Sequence, residues 1–286
     1  MANISLSDAQ AAIHRASLKC QPKRVSCSDL LRLNSSVSMA LTTGLPHLDA
    51  ALKGGIPVGS ISEIVGAAGV GKTQFSLMMA VRSTLPCVAG GLAGNVLYLD
   101  TEGSFSPERM LEIAKSAHPA YFSSPKELLT LSRSVFVKRI TSIASLEAEL
   151  QSCTSFVVAG SFKLIIVDSI AALFGVGDQV QWKDSIAVLG RVAGHLKLLA
   201  DSCQLVVLVT NHITRQYQHD DIADLSSLVP ALGISWAHFV NHRLVCQDDG
   251  SVRKMTLAKS ALAPVMSLLY KVELSGLVEE HDEVIK

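Results

Sequence analysis

Short apolar segments recur along the middle of this chain, and stretches of helical period separate them. Five of them read as strands: Ile61–Val65, Val96–Asp100, Val135–Arg139, Leu164–Asp168 and Leu205–Thr210. All but the first open on a continuous apolar run, the pattern of parallel strands buried on both faces. Between them the spacing predicts helices at Lys72–Arg82, Pro107–Ala117, Ile143–Gln151 and Asp184–Asp201. Strand and helix in alternation predict an α/β fold around a mainly parallel, doubly wound sheet. The last third changes rhythm. Arg243–Gln247, Arg253–Lys259 and Leu268–Val272 are short strands with tight connections, one of them through Asp248-Asp249-Gly250. They predict an antiparallel extension at the C-terminal edge of the sheet. Ahead of all this, residues 5–19 predict one helix, capped by Ser5 or Ser7, and residues 20–40 a linker with a helical piece at Ser28–Arg32. The expected division is 1–40 as N-terminal helix and linker, and 41–286 as the core.

Composition narrows the class. With 286 residues, 49% of them apolar, the chain can build one large core. The formal net charge is +0, so no global positive field draws nucleic acid, and any DNA contact must be local or shared with a partner. The six cysteines (20, 27, 87, 153, 203 and 246) form no C-x-x-C pair and read as thiols in a reducing compartment. The N-terminus shows no basic segment followed by an apolar run, so no secretory signal is expected. No apolar stretch approaches the ~18 residues of a membrane span, and no membrane association is expected.

Residues 66–73 carry the chemistry. Gly66-Ala67-Ala68-Gly69-Val70-Gly71-Lys72-Thr73 is a complete G-x-x-x-x-G-K-T phosphate loop, set between a predicted strand and the helix that continues through Gln74. Its glycines let backbone N–H groups curl around phosphate oxygens, and the helix N-terminus adds a positive dipole. Lys72 can reach β- and γ-phosphates, and the Thr73 hydroxyl can ligate Mg²⁺. Asp168 ends an apolar strand, where open α/β sheets bind ligands, and is positioned to hold Mg²⁺ through water. Tyr98-Leu99-Asp100-Thr101-Glu102-Gly103 ends another strand in two carboxylates. Hydrolysis of a γ-phosphate needs a group that orients water. Glu102 is the candidate, with a solvated surface charge as the competing reading and Asp100 assigned a structural role.

Other features are weaker. His212 follows Val209-Thr210-Asn211 at a strand end and opens a stretch, 212–232, with little apolar patterning; segments of that kind are functional or disordered. Its Arg215 stands against Asp220, Asp221 and Asp224, which disfavours autonomous binding to a phosphate backbone. His238 and His242 lie four apart on a predicted helix, a zinc-compatible spacing with no third ligand, so packed or interface histidines are the better reading. Lys259 reads as a surface charge, or in an oligomer as a residue facing a neighbour's nucleotide.

The order Thr-Gly-Leu-Pro-His-Leu-Asp (43–49), Gly-Gly-Ile-Pro (54–57), Gly-Lys-Thr-Gln, Tyr-Leu-Asp-Thr-Glu-Gly-Ser-Phe, Pro-Glu-Arg, Ile-Val-Asp-Ser and Val-Thr-Asn-His resembles the RecA-type recombinase family over about residues 40–280. Three stretches resemble the B paralogue of the eukaryotic strand-exchange recombinase: Leu85-Pro86 with Gly90-Gly91-Leu92, residues 231–238 and residues 258–264. The resemblance implies a RecA-like ATPase core that uses ATP and Mg²⁺. The implied setting is the nucleus, in a heteromeric complex with other recombinase paralogues (the C paralogue directly) that serves homologous recombination repair. It implies phosphate binding by residues 66–74, Mg²⁺ at Thr73 and Asp168, and water positioning by Glu102. Arg109 would lie near adenine and His238 near a subunit interface. Phe174–Lys183 and His212–Val229 would face single-stranded or branched DNA, mostly within the complex.

The departures are informative. The family usually places glutamine, as γ-phosphate sensor, where His212 stands. The loop 174–183 lacks arginine, no Phe-x-x-Ala motif precedes the core, and only the last helix of the family's small N-terminal domain is expected, at residues 5–19. The expected function is a weak, DNA-dependent ATPase subunit. A solo strand-exchange recombinase, a nucleotide-binding structural subunit without useful hydrolysis and a RecA-like regulatory ATPase unrelated to DNA remain as alternatives.

Overall fold

The computed structural model describes residues 26–29, 40–174, 182–215 and 228–280. The chain divides into two compact units, Met1–Ser38 and Met39–Lys286. In the first, residues 27–29 form a helical turn, and the Ser26 hydroxyl accepts the Asp29 N–H at 3.1 Å. The helix expected over 5–19 lies outside the described residues.

The second unit opens with strands β1 (Ala40–Leu41) and β2 (Ile56–Pro57), an antiparallel pair enclosing helix α1 (Pro46–Ala51). There follow β3 (Ile61–Gly66), α2 (Lys72–Thr84), β4 (Asn95–Asp100), α3 (Pro107–Ala117), α4 (Pro125–Ser134), β5 (Val135–Arg139), α5 (Ile143–Ala159), β6 (Phe162–Asp168), α6 (Trp182–Ser202) and β7 (Val206–Asn211). Strands β8 (Ile213–Arg215) and β9 (Leu228–Pro230) pair as a small antiparallel ribbon. Helix α7 (Gly233–Phe239) leads to β10 (His242–Asp248), β11 (Arg253–Lys259), β12 (Met266–Glu273) and β13 (Gly276–Glu279).

The main sheet has nine strands in the order β13-β12-β11-β10-β3-β7-β6-β4-β5. From β10 to β5 every neighbour is parallel, and from β10 to β13 every neighbour is antiparallel. The extension foreseen in the sequence is therefore present, but its first expected strand is the last parallel strand of the body. Asn241 causes this: its N–H bonds the Ile61 carbonyl at 2.9 Å and its Oδ1 accepts the Ile61 N–H at 3.1 Å, so β10 starts level with β3 and runs beside it.

Side chains alternate between two cores, as the period of two requires. Ile64, Tyr98, Leu164, Ile166 and Leu208 face α2 and α3, while Leu99, Ile165, Val167, Val207 and Val209 face α5 and α6. Strand β5 departs from the expectation of two buried faces. It is an edge strand with only Val135 buried, leaving Phe136 and Val137 exposed. Helix α4 was not foreseen, although Ser124-Pro125-Lys126-Glu127 is a capping box with proline at the first turn. Among the described residues no helix is long and apolar enough to cross a membrane.

Candidate functional site

The loop between β3 and α2 is shaped by its glycines. Gly69 (φ 82°) and Gly71 (φ 104°) are left-handed, and Gly71 caps α2 without any side chain in front of the helix N-terminus. A Cβ at Gly66 would meet the Cys246 carbonyl oxygen at 2.7 Å. The Tyr270 hydroxyl donates to the Val70 carbonyl at 2.7 Å and holds the loop from β12. Lys72 folds back, its Nζ donating to the carbonyls of Gly66 and Ala67, both at 2.8 Å. Burial pulls its pKa below the usual lysine value, and the charges of Glu102 and Asp168 offset part of that.

Asp168, at the end of β6, collects hydroxyl donors from four directions. Its Oδ2 accepts from Thr73 (2.9 Å), Tyr98 (2.6 Å) and Ser104 (3.3 Å), and its Oδ1 accepts from Thr210 (2.5 Å). The phenol of Tyr98 is held well above its ordinary pKa, first by burial and then by the Asp168 charge, so it stays a donor.

Asp100 organises the segment that carries Glu102. Its Oδ1 accepts the N–H groups of Gly103 at 2.7 Å and of Glu102 and Ser104 at 3.2 Å, and it also meets Arg139 at 3.2 Å. Glu102 Oε1 then accepts from the Ser169 hydroxyl and lies 2.6 Å from His212 Nε2. Ser169 Oγ is 3.1 Å from the same His212 nitrogen. Burial alone would raise the Glu102 pKa. The hydrogen bonds from Ser169 and His212, with the His212 and Lys72 charges, outweigh it and hold the carboxyl below its usual range.

These groups converge on a cavity of about 360 Å³ lined by Ala68, Gly69, Gly71, Lys72, Thr73, Gln74, Glu102, Asp168 and His212. Gly66, Ala67 and Val70 do not line it. Arg109 does not line it. Its guanidinium bonds Gln74 Oε1 at 2.7 Å, Glu112, and the carbonyls of Glu273 and Leu274, tying α2 and α3 to the β12–β13 turn. Tyr98, Ser104, Ser169 and Thr210 are site residues that sequence reasoning missed. Ser104 and Ser169 sit within two residues of Glu102 and Asp168, a signal in reach, whereas Tyr98 and Thr210 meet Asp168 from 70 and 42 residues away in the chain.

The other candidates divide. Helix α7 ends at Phe239, so His238 is exposed on its last turn while His242 opens β10 and bonds Ser260 at 3.0 Å; the two share no helix face. Lys259 Nζ caps α7, donating to the carbonyls of Ala237 (2.8 Å) and Val240 (2.7 Å). Of the two expected DNA-facing loops, 175–181 and 216–227 lie outside the described residues. Ile213–Arg215 and Leu228–Pro230 give the second loop a β-ribbon base.

The arrangement fits a magnesium nucleotide. Left-handed glycines and a bare helix N-terminus suit phosphate, and the Thr73 hydroxyl with the Asp168 carboxylate gives the hard oxygen donors that Mg²⁺ prefers. The sequence profile of the Rad51 family matches residues 34–280. The chain belongs to the Rad51 family. It is 38% identical over 296 residues to mouse "DNA repair protein RAD51 homolog 2", covering 95% of this chain and 85% of that protein. The human protein of the same name is 38% identical over 261 residues (83% of this chain, 68% of that protein), and the Arabidopsis thaliana one 31% identical over 295 (96% and 80%). Rad51-family membership accords with the RecA-like sheet, and these relatives support the resemblance to the B paralogue.

Proposed function

We propose that this chain is an ATP-binding, weakly hydrolysing subunit of a heteromeric recombinase-paralogue complex in DNA repair by homologous recombination. The observation that carries the reading is the convergence of Lys72, Thr73, Asp168, Glu102 and His212 on one cavity in a Rad51-family chain. The names of the relatives, RAD51 homologues of DNA repair, support the setting, and a eukaryotic repair protein belongs in the nucleus.

In this reading the backbone of residues 66–73 holds the phosphates and Gln74 flanks them. Lys72, bonded here to the Gly66 and Ala67 carbonyls, would supply the positive charge for the β- and γ-phosphates. Thr73 and Asp168 would hold Mg²⁺, Asp168 through water. When bound, Mg-ATP supplies the transferable phosphoryl group and the metal charge that steadies it. Glu102 orients the attacking water through Oε2 and takes its proton, while Ser169 and His212 fix Oε1. Arg109 would lie near the adenine, held by Gln74 and by the carbonyls of the β12–β13 turn. DNA, single-stranded or branched, is met mostly through the assembled complex, with the C paralogue as direct neighbour.

The chain co-expressed with a C paralogue tests this. We expect co-purification, Mg-dependent ATP binding, and slow hydrolysis stimulated by DNA. A chain that stays alone and binds no nucleotide overturns the reading. Homopolymers on DNA would instead favour the solo recombinase.

A further inference from the structure

One residue before His212, Asn211 meets a buried carboxylate that the chemistry above does not use. Glu63 sits in the middle of β3 with its side chain 0% exposed, between β7 and β10. An isolated carboxylate cannot remain charged there without donors. Three elements provide them. Oε1 accepts from Asn211 Nδ2 at 2.7 Å and from the Trp236 indole at 2.8 Å, and Oε2 accepts from Arg243 Nε. Asn211 ends β7, Trp236 belongs to α7 and Arg243 to β10. Arg243 in turn buries one terminal nitrogen that has no partner among the described residues.

The consequence lies in the other end of the Asn211 amide. With Nδ2 committed to Glu63, Oδ1 is turned to accept the His212 backbone N–H at 2.8 Å. The same residue carries the imidazole that sits 2.6 Å from Glu102. We propose that Glu63, through Asn211 and with Trp236 as its second donor, is a positioning residue for the catalytic pair. It sets the amide plane of Asn211, which fixes the His212 backbone and hence where the imidazole meets Glu102. Both Glu63 oxygens and both ends of the Asn211 amide are paired, which holds them in one arrangement, and that arrangement runs from β3 to His212. The inference rests on the ATPase reading for its functional consequence, but its geometry does not.

Two variants test it in the chain complexed with its paralogue partner. Trp236→Phe keeps an aromatic ring in the buried place and deletes one donor. Glu63→Gln keeps the shape and deletes the charge, and if it fails to fold, Trp236→Phe carries the test. The first readout is hydrogen exchange of the His212 amide in the absence of nucleotide. We expect it to speed up about tenfold while amides of β4 and β6 keep their wild-type rates. The second is the split between binding and turnover with a fluorescent ATP analogue and ATP. We expect affinity within about twofold of wild type and turnover reduced about tenfold. Unchanged exchange at His212, or exchange accelerated equally across the whole sheet, overturns the proposal and leaves Glu63 as structural glue. A wild-type complex that binds no nucleotide overturns the ATPase reading instead, and the exchange readout still decides the positioning role.

Discussion

Lys72 and Glu102 divide binding from chemistry. Lys72 is the cation of the phosphate loop, and its present partners are two loop carbonyls that give up little when phosphate oxygens replace them. Mg-ATP at 100 times its Kd stabilises a binding-competent chain by about 2.7 kcal/mol. For a domain of this size that is a rise of roughly 5–10 °C in Tm. Lys72→Ala should abolish the rise, which a thermal melt with and without Mg-ATP reads directly. Glu102→Gln keeps the side-chain shape and loses the base. Positioned general bases contribute about 10²–10⁴-fold, so hydrolysis by the complex should fall by at least about a hundredfold while the thermal shift survives. Persistent hydrolysis at the wild-type rate would remove Glu102 from its role.

Helix ends show how local signals and burial compete. Helix α3 begins with Ser106, whose hydroxyl accepts the Arg109 N–H, and ends at His118, whose N–H bonds the Ala114 carbonyl at 3.0 Å. A protonated imidazole at a helix C-terminus normally gains about 0.3–1 kcal/mol from the dipole. Here burial, followed by the Arg82 charge, outweighs that gain and lowers the His118 pKa from 6.5 to about 4. The unfolded chain therefore binds the proton more readily than the folded one. Stability should be full above pH 6.5, fall as pH drops from 6.5 towards 4, and fall no further from this group below that. Discounting for partial exposure, the loss is about 2 kcal/mol. Urea denaturation of wild type and His118→Gln at pH 7 and pH 4.5 should show a shallower acid slope in the variant. Equal slopes would mean that the imidazole charges freely in the fold.

At the scale of the whole molecule, charge decides how the chain meets DNA. The formal net charge is +0, and the stretch from His212 to Leu232 sets Arg215 against three aspartates. Each phosphate neutralised by a basic residue steepens the salt dependence of binding. The isolated chain should therefore bind single-stranded DNA weakly, with a shallow slope of log affinity against log salt, and the paralogue complex more tightly and more steeply. Fluorescence anisotropy across a salt series measures both. Tight, ATP-switched binding by the isolated chain would contradict the reading and favour the solo recombinase.

How much of this was legible in the sequence depends on the range of the interactions. The phosphate loop, the strand-end carboxylates, the alternation of strand and helix and the antiparallel edge are written in contiguous residues, because glycine spacing, apolar runs and capping groups act over a few positions. The parallel placement of β10 was not legible, since it rests on Asn241 meeting Ile61 across 180 residues of chain. Nor were the bonds of Arg109 to the carbonyls of Glu273 and Leu274, 164 and 165 residues away. The hydroxyls of Tyr98 and Thr210 around Asp168, and the three donors around Glu63, escaped for the same reason. Local periodicity determines which strands and helices form. Which buried polar groups find one another is decided only when the sheet closes, because an unpaired carboxylate in the core is too costly to leave and its partners come from strands far apart in the chain.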